Sequence, residues 1–308
     1  MNPRVSVVIA TYNMGQYLKA AIDSVLAQRI GELDVHVVDD GSTDSTREVV
    51  AAYAGDPRLH YHWQANSGQT KAKNLGLSHC TGEFVAFCDA DDMWTPDKLE
   101  IQMPLFEQGD DVGVVYSRKR PILPDGTAAP VPADVEQHPS GRVTEALFKN
   151  NFIPFGTAVV RRKCLAELGA FDERYRMGID WELWLRISTR YRFQFADAVT
   201  YLYRTWAGQM SNNWRGRYEY AFRIMEDFLA AHGDLVSKAT IREAYAHSYW
   251  TRGRVRSVLE QEYALGMRDA LTALKFRPTY LLAWKLIGRI GIMAAHSMVR
   301  PRNSEARL

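Results

Sequence analysis

Short apolar runs alternate with stretches of helical spacing along the first hundred residues. Four runs rich in β-branched and aromatic residues predict strands: VSVVIA (5–10), DVHVVDD (34–40), LHYHWQ (59–64) and EFVAFCD (83–89). Three stretches between them predict helices, and in the first of these, five apolar residues share one face: Tyr17, Leu18, Ala21, Ile22 and Val25. Strands that alternate with helices indicate an α/β fold, with a mostly parallel sheet flanked by helices.

The pattern changes in the last third of the chain, where the apolar spacing is helical from Arg215 onward. We therefore predict an α/β domain over residues 1–214 and a helical extension over residues 215–308.

The end of this extension is basic. Four basic residues fall within one narrow stripe of a predicted helix: Lys285, Arg289, His296 and Arg300. Residues 275–308 hold seven Lys/Arg and a single acid, Glu305, a local net charge of +6. A basic amphipathic helix that carries a tryptophan predicts contact with an anionic membrane surface. The alternative is a terminal helix that packs on the protein and leaves one face wet.

Composition narrows the class of protein. The 308-residue chain is 46% hydrophobic and has a formal net charge of +2, so no strong field favours a nucleic-acid partner. Three cysteines without metal-type spacing suit a reducing compartment: Cys80, Cys88 and Cys164. The N-terminus lacks the apolar core of a signal peptide, and no uncharged run of 18 residues predicts a spanning helix. We expect a cytoplasmic protein that lies peripherally on the inner face of the membrane.

Polar and acidic residues follow three of the predicted strands. These strand ends are residues 10–13 (ATYN), 39–42 (DDGS) and 89–92 (DADD). In open α/β sheets, ligands bind beyond the carboxyl ends of the strands, so the three segments should meet at one site. Neither GxGxxG after the first strand nor GxxxxGK[ST] occurs, which removes the main support for a dinucleotide site or a P-loop.

The acids at these strand ends have two chemical uses. Aspartates accept hydrogen bonds from ribose hydroxyls and base N–H groups, and they also hold hard divalent cations, which prefer oxygen ligands. Three carboxylates within residues 89–92 repel one another, and a cation would offset that repulsion. The alternative is a solvated acidic turn that caps the helix predicted to begin near Pro96.

Four segments in this order resemble the family 2 glycosyltransferases of GT-A fold: VSVVIATYN, VVDDGSTD, NSGQTKAKNLGL and GEFVAFCDADDMWTPDKLE. They cover residues 5 to about 100, and GAFDERYRMGIDWELWLRI (169–187) resembles the acceptor-side motif of the same family. The resemblance implies a nucleotide-diphosphate sugar donor, a divalent metal (Mn²⁺ or Mg²⁺) and an inverting displacement at the anomeric carbon. It also implies that residues 1–214 are the catalytic domain, with nucleotide-sugar binding in about residues 1–115 and the acceptor side in about residues 116–214.

The resemblance also implies roles for single residues. Asp91 would be the metal ligand, and seven residues would bind the donor: Ala10, Thr11, Tyr12, Asp40, Lys73, Asp89 and Asp92. Asp92 would orient either the sugar or its own loop. Lys73 stands where relatives often have Arg, so it would offset phosphate charge without a bidentate contact. A solvated helix lysine is the alternative for Lys73.

Asp180 is the candidate catalytic base. An acceptor hydroxyl is a poor nucleophile and needs a base within hydrogen-bond reach. Asp180 precedes the apolar helical face of GIDWELWLRI, at the position that aligns with the acid of the family motif. An ordinary Asp N-cap is the alternative, Glu182 is the second candidate base, and Arg186 is expected to be structural.

One motif departs from the family pattern, and one stretch between the two motif blocks is rich in proline. Relatives often carry Arg-x-His where this chain has Arg204-Thr205-Trp206. Either the protein makes fewer contacts with the metal and diphosphate, or another group takes the place of that histidine.

The proline-rich stretch 121–141 is interpreted as an edge of the acceptor site, or equally as a tolerated insertion.

These features predict an inverting, metal-dependent glycosyltransferase that acts on a lipid-linked or polysaccharide acceptor. One alternative is a catalytically silent module that binds nucleotide sugars and scaffolds an assembly. Another is a soluble transferase that modifies proteins or small molecules, which predicts no membrane association.

Overall fold

The computed structural model describes residues 4–30, 32–130 and 138–299. The chain divides into two units. The first comprises Met1–Leu147 and Asn151–Asn213, and the second comprises Phe148–Asn150 and Trp214–Leu308. Part of the proline-rich stretch, residues 131–137, lies outside the described residues, so its predicted place at the acceptor site stays a prediction.

An eight-stranded sheet forms the first unit. Its strands are β1 (Val5–Thr11), β2 (Leu33–Asp39), β3 (Leu59–Trp63), β4 (Phe84–Phe87), β5 (Met93–Trp94), β6 (Val112–Ile122), β7 (Val159–Arg161) and β8 (Arg192–Arg204). Its helices are α1 (Gly15–Leu26), α2 (Thr46–Ala51), α3 (Gln69–His79), α4 (Lys98–Gln102), α5 (Thr144–Lys149), α6 (Arg162–Leu168) and α7 (Ile179–Ser188). Short 3₁₀ turns lie at Met103–Gln108, Phe155–Thr157 and Met210–Asn212.

The strand order is β3-β2-β1-β4-β7-β6-β8-β5, and the first four strands are parallel. Strand β7 runs antiparallel to β4 and β6, whereas β6 and β8 are parallel. The four predicted strands and their parallel pairing are therefore confirmed. Because Thr11 pairs with Asp39 in the β1–β2 register, the first two polar strand ends lie side by side.

Helix α3 crosses this sheet closely because it carries a glycine at the contact. A Cβ atom on Gly76 would lie 2.5 Å from Val8 Cγ1 and 3.2 Å from Val38 Cγ2, so a larger residue would push α3 off β1 and β2. The close approach fixes the helix against strands whose side chains are buried almost throughout. It thereby fixes the position of the residues at the start of α3, which face the polar strand ends.

The second unit is helical, as predicted, and contains α8 (Trp214–His232), α9 (Lys238–Val258), α10 (Tyr263–Phe276) and α11 (Leu281–Val299). Helices α9 and α10 cross where two glycines meet: a Cβ on Gly253 would lie 2.9 Å from the carbonyl oxygen of Gly266. Beside this crossing, the buried Asp269 carboxylate accepts from Arg252 at 2.6 Å and from Arg256 at 2.7 Å. None of the helices in the described part of the chain is both long and apolar enough to cross a membrane.

Helix α11 has one packed face and one exposed face. Ala283, Leu286 and Ile290 are buried, and they belong to two small apolar clusters with residues of α10. The opposite face exposes apolar residues beside Lys285 and Arg289, with Trp284 54% exposed and Ile292 63% exposed. The side chain of His296 and all of Arg300 lie outside the described residues, so the full basic stripe stays a prediction.

Candidate active site

The ends of β1 and β2 are tied together by short hydrogen bonds. Asn13, whose φ of 53° is unusual for a residue other than glycine, donates its N–H to Ser42 Oγ at 2.9 Å. Its side-chain carbonyl accepts from the Thr43 N–H at 2.8 Å. Within this pair of loops, Thr11 Oγ1 is buried and has no hydrogen-bond partner among the described residues, while Tyr12 is exposed and Ala10 half-buried. An unpartnered buried hydroxyl at a strand end is available to a ligand.

Asp40 holds the loop that leads into α3. One of its carboxylate oxygens accepts from Gln64 Nε2 at 2.7 Å and from the Ser67 N–H at 2.8 Å, and the other accepts from the Gly68 N–H at 2.9 Å. The side chain is buried. Both oxygens therefore have protein partners, and a direct contact of Asp40 with a nucleotide stays a prediction.

The three acids after β4 have different partners. Asp89 Oδ1 accepts from the Lys73 ammonium at 3.1 Å, and Asp91 Oδ2 accepts from the indole N–H of Trp206 at 2.8 Å. Asp92 is buried and accepts from the Tyr201 hydroxyl and from the backbone N–H of residue 204, both at 2.7 Å. Asp92 thus fastens its loop to β8, whereas Asp89 and Asp91 are only partly enclosed.

Burial and mutual repulsion disfavour charge on two of these acids. Burial is the main cause that raises the pKa of Asp91, and the neighbouring Asp89 adds to it. Burial, together with Asp91 and Asp89, raises the pKa of Asp92. The positive charge of Lys73 and the Trp206 N–H oppose the change at Asp91. A bound cation would act in the same direction as Lys73 and keep Asp91 ionised.

The acids suit a metal that also binds phosphate. The described residues contain no group of three or more His, Cys, Asp and Glu side chains that could hold a metal ion by themselves. Mg²⁺ is commonly held by one or two carboxylates, with substrate phosphates and water completing the coordination shell. Asp91, with Asp89 beside it, fits that arrangement. The described residues do not form a site in which protein side chains alone surround a metal.

Arg204 closes the site from the β8 side. Its Nε donates to the backbone carbonyl of Asp91 at 2.7 Å, and its Nη1 donates to the carbonyl of Pro124 at 2.7 Å. The guanidinium carbon lies 4.7 Å from the centre of the Tyr17 ring. Sequence reasoning gave no role to Arg204 or Tyr201, because both lie more than 100 positions from the acids they hold.

Asp180 lies in the first turn of α7, and Gly178 is the N-cap of that helix. The interpretation of Asp180 as an ordinary N-cap is therefore wrong. Its Oδ2 accepts from Asn151 Nδ2 at 2.8 Å. Burial raises the pKa of Asp180, and the hydrogen bond from Asn151 is the largest influence in the opposite direction. A carboxyl with a raised pKa at a site edge suits a general base, and sequence reasoning did not find Asn151.

The Lys73 ammonium connects the two motif blocks. It is bonded to Asp89 and lies 4.0 Å from the centre of the Phe155 ring, and the residue is almost fully buried. Its positive charge favours ionisation of both Asp91 and Asp180. The interpretation of Lys73 as a solvated helix lysine is therefore wrong. The acid cluster and the candidate base, about ninety positions apart in sequence, share one cation.

Helix α3 also holds the segment that precedes Asp180. Gln69 Nε2 donates to the carbonyl of Arg176 at 2.8 Å, and Thr70 Oγ1 donates to the carbonyl of Tyr175 at 2.8 Å. Asn74 Nδ2 donates to the carbonyl of Phe171 at 2.9 Å. One face of a single helix therefore carries Lys73 and positions the approach to the candidate base.

Glu182 is engaged in a local ion pair. Its two oxygens accept from Arg186 Nε at 2.8 Å and from Nη2 at 2.7 Å. Arg186 also donates to the carbonyls of Leu168, Gly169 and Ala170, so it holds the turn before α7 and is structural. Glu182 is thereby a weaker candidate base than Asp180.

Comparison with known proteins identifies the family of this chain. The family model described as "Glycosyl transferase family 2" matches residues 6–169, just over half of the chain. The chain belongs to glycosyl transferase family 2. The resemblance inferred from the strand-end motifs is confirmed.

Two relatives show how far the similarity to this family 2 transferase extends. It is 44% identical over 115 residues to an uncharacterized glycosyltransferase from Nostoc sp., over 37% of this chain and 36% of the relative. It is 28% identical over 200 residues to a chondroitin synthase from Pasteurella multocida, over 65% of this chain and 20% of the relative. The chain thus matches about a third or less of the length of these curated relatives.

Solved structures show the same fold. The S. aureus TarS 1-349 crystal structure matches with a TM-score of 0.66 and 20% identity, over 97% of this chain and 93% of the TarS 1-349 chain. The mannosyltransferase PcManGT from Pyrobaculum calidifontis, solved with GDP-Man and Mn²⁺, matches with a TM-score of 0.56 and 21% identity, over 99% of this chain and 89% of that one. At these identities the likeness demonstrates a shared GT-A fold, with the C-terminal helices included in the match.

Proposed function

We propose that this transferase inverts the anomeric centre as it moves a sugar from a nucleotide-diphosphate sugar to a hydroxyl of a lipid-linked or polysaccharide acceptor. The observation that carries the proposal is the position of Lys73, whose charge acts on both the acid cluster and Asp180. Related structures support the donor class, since TarS has been solved with UDP and with UDP-GlcNAc. The relative named chondroitin synthase supports a glycan acceptor.

The donor side is assigned to residues 1–115. Thr11 and Tyr12 would contact the nucleoside, Asp89 would accept from the ribose, and Lys73 would offset diphosphate charge. Ala10 and Asp40 would shape the pocket, and Asp92 would hold the loop rather than touch the donor. A divalent cation, Mn²⁺ or Mg²⁺, held by Asp91, would stabilise the negative charge that develops on the leaving diphosphate.

The acceptor side is assigned to residues 116–214, with Asp180 as the base. The acceptor oxygen attacks the anomeric carbon as the bond from that carbon to the diphosphate oxygen breaks, and Asp180 takes the hydroxyl proton. A single displacement of this kind inverts the anomeric configuration. The hydrogen bond from Asn151 keeps the half-buried carboxylate oriented.

A panel of nucleotide sugars with Mn²⁺ or Mg²⁺ tests this function. The expected result is metal-dependent release of nucleoside diphosphate with one donor, and transfer when a hydroxyl acceptor is added. Proton NMR of the product from an α-linked donor should show a β-linked anomeric proton. Binding of a donor without hydrolysis or transfer to any acceptor would favour the scaffold alternative, and a retained configuration would overturn the inverting mechanism.

Replacing Asn151 with Ala should move the acid limb of the pH–rate profile to higher pH. The base works only when it is deprotonated, so the rate falls as the pH drops through its pKa. Asn151 donates to the charged carboxylate, which lowers the pKa of Asp180, and its loss raises that pKa further. Transfer rates measured from pH 5 to 9 test this, with the exposed neighbour Asn150→Ala as the matched control. An acid limb that stays at the same pH in Asn151→Ala would contradict the proposed effect of this hydrogen bond on the pKa of Asp180.

We further propose that the exposed face of α11 binds an anionic membrane surface, which gives a cytoplasmic, peripheral location. That face combines exposed apolar residues, Trp284 and Ile292 among them, with Lys285 and Arg289. No acid occurs between residues 270 and 304. Apolar side chains that enter the headgroup boundary and basic side chains that meet anionic lipid would act together.

Lys285→Glu combined with Arg289→Glu should weaken binding to anionic vesicles about 30-fold or more, since each basic residue near the surface contributes roughly 1 kcal/mol. Binding to neutral vesicles should change little, and added salt should weaken only the binding of the unaltered protein to anionic vesicles. Co-sedimentation measures both, with Arg47→Glu plus Lys71→Glu, two exposed residues of the first unit, as the control of equal charge change. Unaltered protein that stays in the supernatant at low salt would contradict the membrane role and favour the soluble-acceptor alternative.

A further inference from the structure

The indole N–H of Trp206 donates to Asp91 Oδ2 at 2.8 Å, across 115 positions of sequence. A tryptophan N–H is only a donor and cannot itself ligate a cation. The bond uses one lone pair of Asp91 Oδ2, and the other oxygen, Oδ1, accepts from no side-chain donor among the described residues. The carboxylate is held in one orientation with one oxygen available.

Several contacts hold the indole in place. Its ring centre lies 5.8 Å from that of Tyr17, and the Trp206 backbone N–H donates to Gln209 Oε1 at 3.2 Å. Gly208 allows the ring to lie over its own turn, because a Cβ there would come 2.2 Å from Cζ3 of Trp206. The indole is thus a fixed part of the site, positioned by the residues on both sides of it.

We infer that Trp206 is a positioning residue that fixes Asp91 for coordination through a single oxygen, so that a divalent cation binds firmly only together with the nucleoside diphosphate. The inference rests on the proposed function. With no protein group of three or more ligands among the described side chains, the cation depends on phosphate oxygens for the rest of its shell. Hydrogen bonds that orient a ligand side chain commonly change metal affinity about 10- to 100-fold.

The experiment measures the affinity for each of two nucleotides, UDP and GDP, once in Mn²⁺ and once in EDTA. For each nucleotide, the metal-dependent gain is the affinity in Mn²⁺ divided by the affinity in EDTA. In Trp206→Phe, which keeps a ring but loses the N–H, the gain should fall about 10- to 100-fold, while affinity in EDTA stays unchanged. Gly208→Ala, which keeps the indole but displaces it, should show the same loss.

Tryptophan fluorescence supplies a second readout. Mn²⁺ added with the tighter of the two nucleotides should change the emission of the unaltered protein, and this change should be absent in Trp206→Phe. Trp63, which is 61% exposed on β3, provides the matched control: Trp63→Phe should keep both the gain and the emission change.

The outcomes separate the inference from the proposed function. If the unaltered protein shows no metal-dependent gain with either nucleotide, the proposed metal role fails and the inference fails with it. If the gain is present and Trp206→Phe and Gly208→Ala keep it, the inference alone is overturned. An equal loss of affinity in Mn²⁺ and in EDTA would also overturn it, because a merely structural role predicts that result.

Discussion

Asp180→Asn is expected to slow sugar transfer by about 10²- to 10⁴-fold, the usual contribution of a positioned base, while nucleotide-sugar affinity stays unchanged. The amide has the shape of the carboxyl but cannot accept a proton at neutral pH. Partial burial raises the pKa of Asp180, and the charge of Lys73 acts in the opposite direction, so a carboxyl that titrates above its usual range is held at the candidate site. Single-turnover transfer and donor titration measure the two quantities separately.

Glu182→Gln is the matched control for this prediction. It removes a carboxylate two positions away, and that carboxylate is paired with Arg186. We expect this variant to unfold at a lower temperature and to transfer sugar at close to the normal rate. Normal turnover in Asp180→Asn together with a lost rate in Glu182→Gln would move the role of base to Glu182.

Asp91→Asn is expected to remove most of the metal-dependent donor affinity and to lower transfer by about 10²-fold or more, because metal stabilisation of developing charge contributes several kcal/mol. An amide oxygen is a neutral and weaker ligand for a hard cation than a carboxylate. Calorimetric titration of the nucleotide sugar in Mn²⁺ and in EDTA measures the loss. Unchanged donor binding in Mn²⁺ would show that the metal assignment is wrong.

Thermal unfolding without metal distinguishes Asp91 from its neighbour Asp92. The pKa of Asp91 is raised in the folded protein, so its charge costs stability at neutral pH, and Asp91→Asn should unfold at the same or a higher temperature. The pKa of Asp92 is raised as well, but both of its oxygens accept hydrogen bonds, from the Tyr201 hydroxyl and from the backbone N–H of residue 204. An amide can accept through only one atom, so Asp92→Asn loses one of these bonds and should unfold at a lower temperature. A stabilised Asp92→Asn would contradict the loop-holding role.

The sequence alone was enough to predict the first four strands, the helices between them and the edge of the sheet at which the candidate site lies. Buried strands need short apolar runs and helices need their own apolar spacing, so β1 to β4 and the intervening helices could be predicted from local windows. Parallel strands share one polarity, which places the segments after Thr11, Asp39 and Phe87 on a common edge. The motifs at that edge were enough to predict the family.

The partners and the burial of each candidate side chain could be read only from the folded protein. The partners of Asp91, Asp92 and Asp180 lie 115, 109 and 29 positions away, so no local window contains them. Two carboxylates expected at the donor, Asp40 and Asp92, have both oxygens bonded within the protein.

The burial of Lys73 and of helix α11 also depends on elements that are distant in sequence. A lysine on a helix reads as solvated unless another element covers it, and here the Phe155 ring covers the ammonium. The spacing in α11 left open whether the helix meets a membrane or packs on the protein, and in the structure α10 buries Leu286 and Ile290 while Trp284 stays exposed. Composition and spacing determine where a helix or strand has an apolar or a polar face. Whether that face is buried depends on which other elements pack against it, and those elements come together only in the folded chain.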